Sequence, residues 1–171
     1  MSIKLVIFDA DKTLWDHPDI SLTNPPFQRI DEDTLVDKIG SEIRLYKRVR
    51  EMLQRLKEQG IIISLASWNM PESCLEALEK LDLLRYFGHP KVQPHPDKHR
   101  MIKELLEDLK EEGVKIEPSE ILYVDDKSRH LSDVRKQVGE IRFLQMWVDV
   151  KDHTEILEYV RSCQGNAART I

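Results

Sequence analysis

The chain has 171 residues, 40% hydrophobic and 33% charged, enough for one globular domain with a substantial core. A formal charge of −5 disfavours non-specific nucleic-acid binding, and no apolar stretch approaches a membrane span, so neither partner is expected. Cys74 and Cys163 match no metal-site spacing and read as reduced thiols; with no signal-peptide pattern at the start, the expected location is cytoplasmic.

The first element is the apolar run Ile3-Lys4-Leu5-Val6-Ile7-Phe8, followed by Asp9-Ala10-Asp11-Lys12-Thr13-Leu14. Its shortness and its Ile, Val and Phe content predict a strand buried on both faces, hence central in a parallel sheet. Residues i and i+2 of extended backbone point the same way, so Asp9 and Asp11 face one site at the sheet's carboxyl edge. Two close carboxylates ionise together only beside a cation. From Trp15 to Ile43 no strong period is visible, and Asn24-Pro25-Pro26 and Asp31-Glu32-Asp33 punctuate a loop with room for a short hairpin. A loop so long is uncommon unless functional, and this one, residues 15–43, is read as a wall of the site or a small lid.

Helical spacing of Val49, Met52, Leu53 and Leu56 predicts a helix within 46–59, stopped by Gly60. Ile61–Ala66 reads as a second buried strand, ending at Ser67-Trp68-Asn69, and Pro71 opens the next helix. Lys91-Val92-Gln93 reads as an edge strand. A helix from Lys98 buries Met101, Ile102, Leu105, Leu106 and Leu109, and Ile121–Val124 is a third core strand ending in Asp125-Asp126. A helix with Leu131, Val134 and Val138 inward, a strand over 141–146, and a last helix from about Asp152 to Cys163 complete the domain, with 164–171 as a frayed tail. Strands alternating with amphipathic helices define the α/β class: a doubly wound, mainly parallel, Rossmann-like sheet flanked by helices, with residues 1–171 forming a single domain.

In such a sheet the strand ends lie along one edge, so Asp9, Asp11, Ser67, Asn69, Asp125 and Asp126 can converge. Lys98 sits in the first turn of a helix, where the macrodipole disfavours a cation, and a bound anion or facing acid cluster removes that conflict. Read as a surface residue in that turn, Lys98 can be replaced with stability unchanged or slightly raised. One of Asp125 and Asp126 can cap the following helix while the other binds metal. Oxygen ligands without His or Cys suit Mg²⁺, and a carboxylate nucleophile, a second carboxyl, a hydroxyl, a lysine and a hard cation together describe phosphoryl transfer.

These residues, in this order, resemble the haloacid dehalogenase (HAD) superfamily of phosphohydrolases. Asp9-x-Asp11-x-Thr13 is similar to its first motif, Ser67 to its second, Lys98 to its third and Asp125-Asp126 to its fourth. Asp11-Lys12-Thr13-Leu14-Trp15, Pro25-Pro26-Phe27, Ile43-Arg44-Leu45-Tyr46 and Asp125-Asp126-Lys127-Ser128-Arg129 resemble the magnesium-dependent phosphatase branch more closely. Lys12 stands where that branch tends to carry Tyr, and His130 where Asn is usual. The large mobile cap of many superfamily members is missing.

The resemblance implies hydrolysis of a phosphomonoester; an open site without a cap suits a small phosphosugar or a phosphotyrosine-like side chain of a phosphoprotein, and a monomer or weak homodimer is expected. It makes Asp9 the nucleophile and Asp11 the general acid and base. Mg²⁺ is then held by the Asp9 side chain, the Asp11 carbonyl and Asp126, with Asp125 as the neighbour of Asp126. Ser67 and Lys98 bind the phosphoryl oxygens, and Thr13 orients the loop. Asn69 and Trp68 lie where they could touch the leaving group, and plain packing is an equal reading of Trp68. Other readings are a non-catalytic binding protein on the same fold and a phosphomutase or dehalogenase. A receiver-type module wants adjacent acids after its first strand, the reverse of the order here.

Overall fold

The structure is a computed structural model and describes residues 1–167. In chain order its elements are β1 Leu5–Phe8, β2 Trp15–Asp16, β3 Gln28–Arg29, β4 Thr34–Val36, β5 Glu42–Leu45 and α1 Val49–Glu58. They continue as β6 Ile62–Trp68, α2 Pro71–Lys80, β7 Lys91–Gln93, α3 Lys98–Glu111, β8 Ile121–Asp125, α4 Leu131–Gln137, β9 Arg142–Gln145 and α5 His153–Ala167.

The main sheet is five-stranded and parallel in the order β7-β6-β1-β8-β9, so β1 is central. Its alternate side chains serve two cores. Val6 and Phe8 pack with Met52, Leu53 and Leu56 of α1, Leu78 of α2 and Ile156 and Val160 of α5. Leu5 and Ile7 pack with Met101, Ile102 and Leu105 of α3 and Val134 of α4. A strand covered on both faces needs apolar residues at every position, which is why Leu5–Phe8 show no alternation. Gly60, at φ 73, ends α1 where an L-residue would be strained, and Pro71 occupies the first turn of α2.

Residues 15–43 contain the expected hairpin, Gln28–Arg29 against Thr34–Val36, and more than that. With Arg44 and Leu45 they build a second, antiparallel sheet in the order β2-β5-β4-β3. β5 alternates exposed Glu42 and Arg44 with buried Ile43 and Leu45, a period-two signal only four residues long. The connection between β4 and β5 is built on Asp37, whose carboxylate accepts from the backbone N–H groups of Asn24, Ile39 and Ser41. Burial alone would raise its pKa, yet those donors hold it at about 2.

The expected fray from Gln164 is also corrected as far as the described residues reach, because α5 continues to Ala167. Gln164 fastens it: its side-chain oxygen accepts from Ile3 N at 3.0 Å and its amide donates to Ile3 O at 3.0 Å. Residues 168–171 lie outside the described residues. Among the described residues no helix is long and apolar enough to cross a membrane.

Candidate active site

The carboxyl ends of β6, β1 and β8 and the start of α3 meet at a cavity of about 320 Å³. Asp9, Asp11, Asn69, Trp68, Lys98, Asp125 and Asp126 line it. Thr13 and Ser67, both fully buried, stand behind its wall.

Lys98 explains its own placement. Its ammonium is buried at 3% exposure, donates to Asp9 Oδ1 at 2.7 Å and to the Ala66 carbonyl at 2.5 Å, and lies 3.7 Å from Asp125 Oδ2. The acid cluster therefore outweighs the unfavourable helix dipole. The same burial overturns the expectation that removing Lys98 leaves stability untouched, since Asp9 would lose its partner. Burial lowers the Lys98 pKa, but Asp9 and Asp125 more than restore it, so the net shift is upward.

Asp9 is pushed well above the ordinary carboxylate range, first by burial and then by Asp125, against the pull of Lys98. Asp126 is pushed up to about 6 by burial and by Asp125 beside it. Carboxylate oxygens of Asp9, Asp125 and Asp126 lie within 4.8 Å of one another. Three carboxylates against one ammonium leave two negative charges, which one divalent cation neutralises. The donor set is all oxygen, as Mg²⁺ requires. The residues thus fit the ion.

Asp125 and Asp126 differ in how they are held. Asp125 accepts from the Tyr123 hydroxyl and from Lys127 N at 3.0 Å, so its carboxylate is fixed by protein donors. No protein donor to the Asp126 carboxylate is found among the described residues, while its backbone N–H donates to Thr13 Oγ1 at 3.2 Å. Thr13 thereby ties the loop after β1 to the end of β8.

Asp11 is held on both oxygens. Oδ1 accepts from Trp15 Nε1 at 2.8 Å and Ile20 N at 3.1 Å, and Oδ2 from Asn69 Nδ2 at 2.9 Å. Burial nevertheless dominates those donors and raises its pKa. Asn69 does more than line the cavity: its amide also donates to Ser67 Oγ at 2.8 Å, and its oxygen accepts from Ser21 Oγ at 2.6 Å. Ser21 Oγ in turn accepts from Met70 N at 2.9 Å. Trp68 is 47% exposed, so plain packing does not describe it, and the Arg129 guanidinium lies 5.7 Å from its ring centre.

Several site residues carried no local signal. Pro18, Asp19 and Ser21 come from the segment read as loop and form one wall. Met70 and Pro94 complete the rim together with Lys127, Arg129 and His130, which directly follow the Asp125-Asp126 pair and were singled out with it. Tyr123 was legible in principle. It lies two residues before Asp125 in a strand, hence on the same face, and a buried tyrosine hydroxyl needs a partner.

A parallel sheet with acid residues and a buried lysine at one edge, and no large cap among the described residues, defines a HAD-type phosphohydrolase. Comparison with known proteins agrees. An acid phosphatase family model matches residues 2–146. Human magnesium-dependent phosphatase 1 is 34% identical over 98% of this chain and 92% of its own. A HAD-like hydrolase superfamily protein of Schizosaccharomyces pombe is 30% identical over 74% of this chain and 77% of its own. Among solved structures, a HAD-superfamily hydrolase from Geobacter sulfurreducens superposes with a TM-score of 0.63 at 16% identity, covering 92% of this chain and 96% of that one. The N-terminal part of a Bacteroides fragilis protein, containing a phosphatase domain complexed with Mg, gives 0.63 at 19% identity over 95% of this chain and 40% of that one. The chain belongs to the acid phosphatase family of the HAD superfamily and is a magnesium-dependent phosphatase.

Proposed function

We propose that the enzyme hydrolyses phosphomonoesters through an aspartyl-phosphate at Asp9. The observation that carries this reading is the pairing of a buried carboxylate, Asp9, at the end of the central strand with Lys98 at 2.7 Å and with Asp11 two residues on. An Asp9 carboxylate oxygen attacks phosphorus, and the bond from phosphorus to the leaving oxygen breaks. Asp11, whose burial favours the protonated form, gives its proton to that oxygen. Water then attacks the phosphorus of the acyl phosphate while Asp11 takes back a proton. The phosphorus–Asp9 oxygen bond breaks, releasing inorganic phosphate.

The Asp9 and Asp126 carboxylates and the Asp11 backbone carbonyl would hold Mg²⁺, which supplies positive charge for the phosphoryl oxygens; Asp125 braces Asp126. Lys98 lowers the charge around the nucleophile. Ser67 Oγ, behind the cavity wall, accepts from Asn69 Nδ2 at 2.8 Å, and it would donate to a phosphoryl oxygen once the bound substrate presses against that wall.

The leaving group occupies the open mouth. Its wall of Pro18, Trp68, Met70 and Pro94 suits an aryl or small sugar monoester. Pro18, with Asp19 and Ser21 from the same connection between β2 and β3, forms one side of the mouth as a fixed lid. Asp9→Asn tests the assignment: turnover of an aryl phosphate is lost from a folded protein, and residual hydrolysis at a substantial fraction of wild type would remove Asp9 from the mechanism.

A further inference from the structure

Three successive carbonyls of the loop that carries Asp11 are satisfied from outside it. Lys12 O accepts from the indole Nε1 of Trp147 at 2.7 Å, Thr13 O from Nε2 of His153 at 2.7 Å, and Leu14 O from the backbone N–H of Tyr46 at 2.9 Å. The rings of the three donor residues pack against one another, Tyr46 stacked on His153 and Trp147 tilted or edge-on to both. Ring centres lie 4.6 Å apart for Tyr46 and Trp147, 5.7 Å for Tyr46 and His153, and 5.9 Å for Trp147 and His153. None of the three belongs to a catalytic motif or lines the catalytic cavity.

Packing alone accounts poorly for this arrangement. Tyr46 and Trp147 are only half-buried, and their cluster borders a second, solvent-open cavity of about 330 Å³. Trp147 adopts φ 69 and Lys12 φ 56, left-handed conformations disfavoured for L-residues with long side chains. Such residues persist where their surroundings over-determine them, and they gather near functional sites. The partner of His153 is a carbonyl, so Nε2 must carry the hydrogen. Burial keeps that ring from taking a second proton, although Thr13 O and Asp152 pull the other way.

We propose that Trp147 and His153, braced by Tyr46, are positioning residues of the phosphatase: they fix the peptide planes at residues 12–14 and, through them, the angle at which Asp11 presents its carboxyl and its backbone carbonyl. The link is mechanical. Lys12 N–H donates to Trp15 O at 3.0 Å and its carbonyl is held by Trp147, so the positive φ between them is locked. Without the indole donor, Lys12 relaxes toward negative φ and the Asp11–Lys12 peptide turns, carrying the Asp11 carbonyl with it. The catalytic consequence rests on the roles proposed above for Asp9 and Asp11.

The test uses Trp147→Phe, which keeps a ring but removes the donor, with His153→Ala and the amide-bearing His153→Gln. Amide hydrogen exchange of residues 10–15 is measured in metal-free protein, Mg²⁺ affinity by calorimetry, and kcat and KM on an aryl phosphate. The expected result is faster exchange in 10–15 with β6 and β8 unchanged, weaker Mg²⁺ binding, and kcat lower by about 10–100-fold with KM little altered. His153→Gln recovers most of the loss seen in His153→Ala. Wild-type exchange and kcat in Trp147→Phe overturn the proposal. So does a kcat loss that only tracks the unfolded fraction. If His153→Ala does not fold, Trp147→Phe carries the test alone. Exchange and Mg²⁺ affinity do not depend on Asp9 as nucleophile, so a turnover-competent Asp9→Asn would sink the mechanism and leave the clamp to be judged on those two readouts.

Discussion

Replacing Lys98 by Met keeps the unbranched apolar stem of the side chain and deletes its terminal ammonium. Asp9 then faces Asp125 and Asp126 in a buried site with no cation, because the ammonium at 2.7 Å is its one ion-pair partner among the described residues. Removing one member of a buried pair costs about 3–5 kcal/mol. Asp9 is already pushed toward its protonated form and can escape part of the penalty by taking a proton, so the low end, about 3 kcal/mol, applies. For a chain of this length each kcal/mol moves Tm by about 2–4 °C, which predicts a fall of about 6–12 °C in metal-free buffer. Excess Mg²⁺ should restore part of that fall, since it supplies the missing positive charge. Turnover should drop by about 10²–10³, the loss typical of one preorganised electrostatic contact. The assay pairs thermal melts with and without Mg²⁺ and kcat on one Lys98→Met preparation. A wild-type Tm without metal together with wild-type kcat would refute the argument that Lys98 balances the acid cluster.

Asp11→Asn should slow alkyl phosphates more than aryl phosphates with good leaving groups, and equal slowing of both in pre-steady-state kinetics would rule out proton donation by Asp11. Asn69→Ala removes a donor to Asp11 and leaves Ser21 Oγ without its acceptor; kcat should fall by about 10–100-fold while far-ultraviolet dichroism stays unchanged. EDTA should abolish turnover and Mg²⁺ restore it, with Asp126→Ala weakening Mg²⁺ binding more than Asp125→Ala; the reverse order in a calorimetric titration would exchange their roles. Asp37 has a pKa near 2 against an ordinary 3.8, so its contribution is complete above about pH 4 and lost as pH falls toward 2. Asp37→Asn should therefore flatten the acid limb of the Tm–pH curve in that window, and an unchanged limb would contradict it.

The central strand and its neighbours were legible because burial on both faces writes continuous apolar runs, as at Leu5–Phe8 and Ile121–Val124. The polar residues that meet at the cavity were legible because each sits at a strand or helix end, where a short polar word interrupts an apolar one. Lys98 was visible through the conflict between its charge and its helix position, although that argument missed its burial. The small sheet was hidden because its strands are two to four residues long and set among prolines and acids. Ser21, Trp147 and His153 act through partners 48, 135 and 140 residues away, and no local pattern encodes such contacts.

The central claim is a covalent phosphoenzyme at Asp9. Borohydride added during turnover of an aryl phosphate reduces an acyl phosphate to the alcohol, converting that aspartate to homoserine, and peptide mass spectrometry locates the change. The mechanism predicts homoserine at position 9, dependent on substrate and Mg²⁺ and absent from Asp9→Asn. Label at another residue, or none from an enzyme turning over fully, would contradict it.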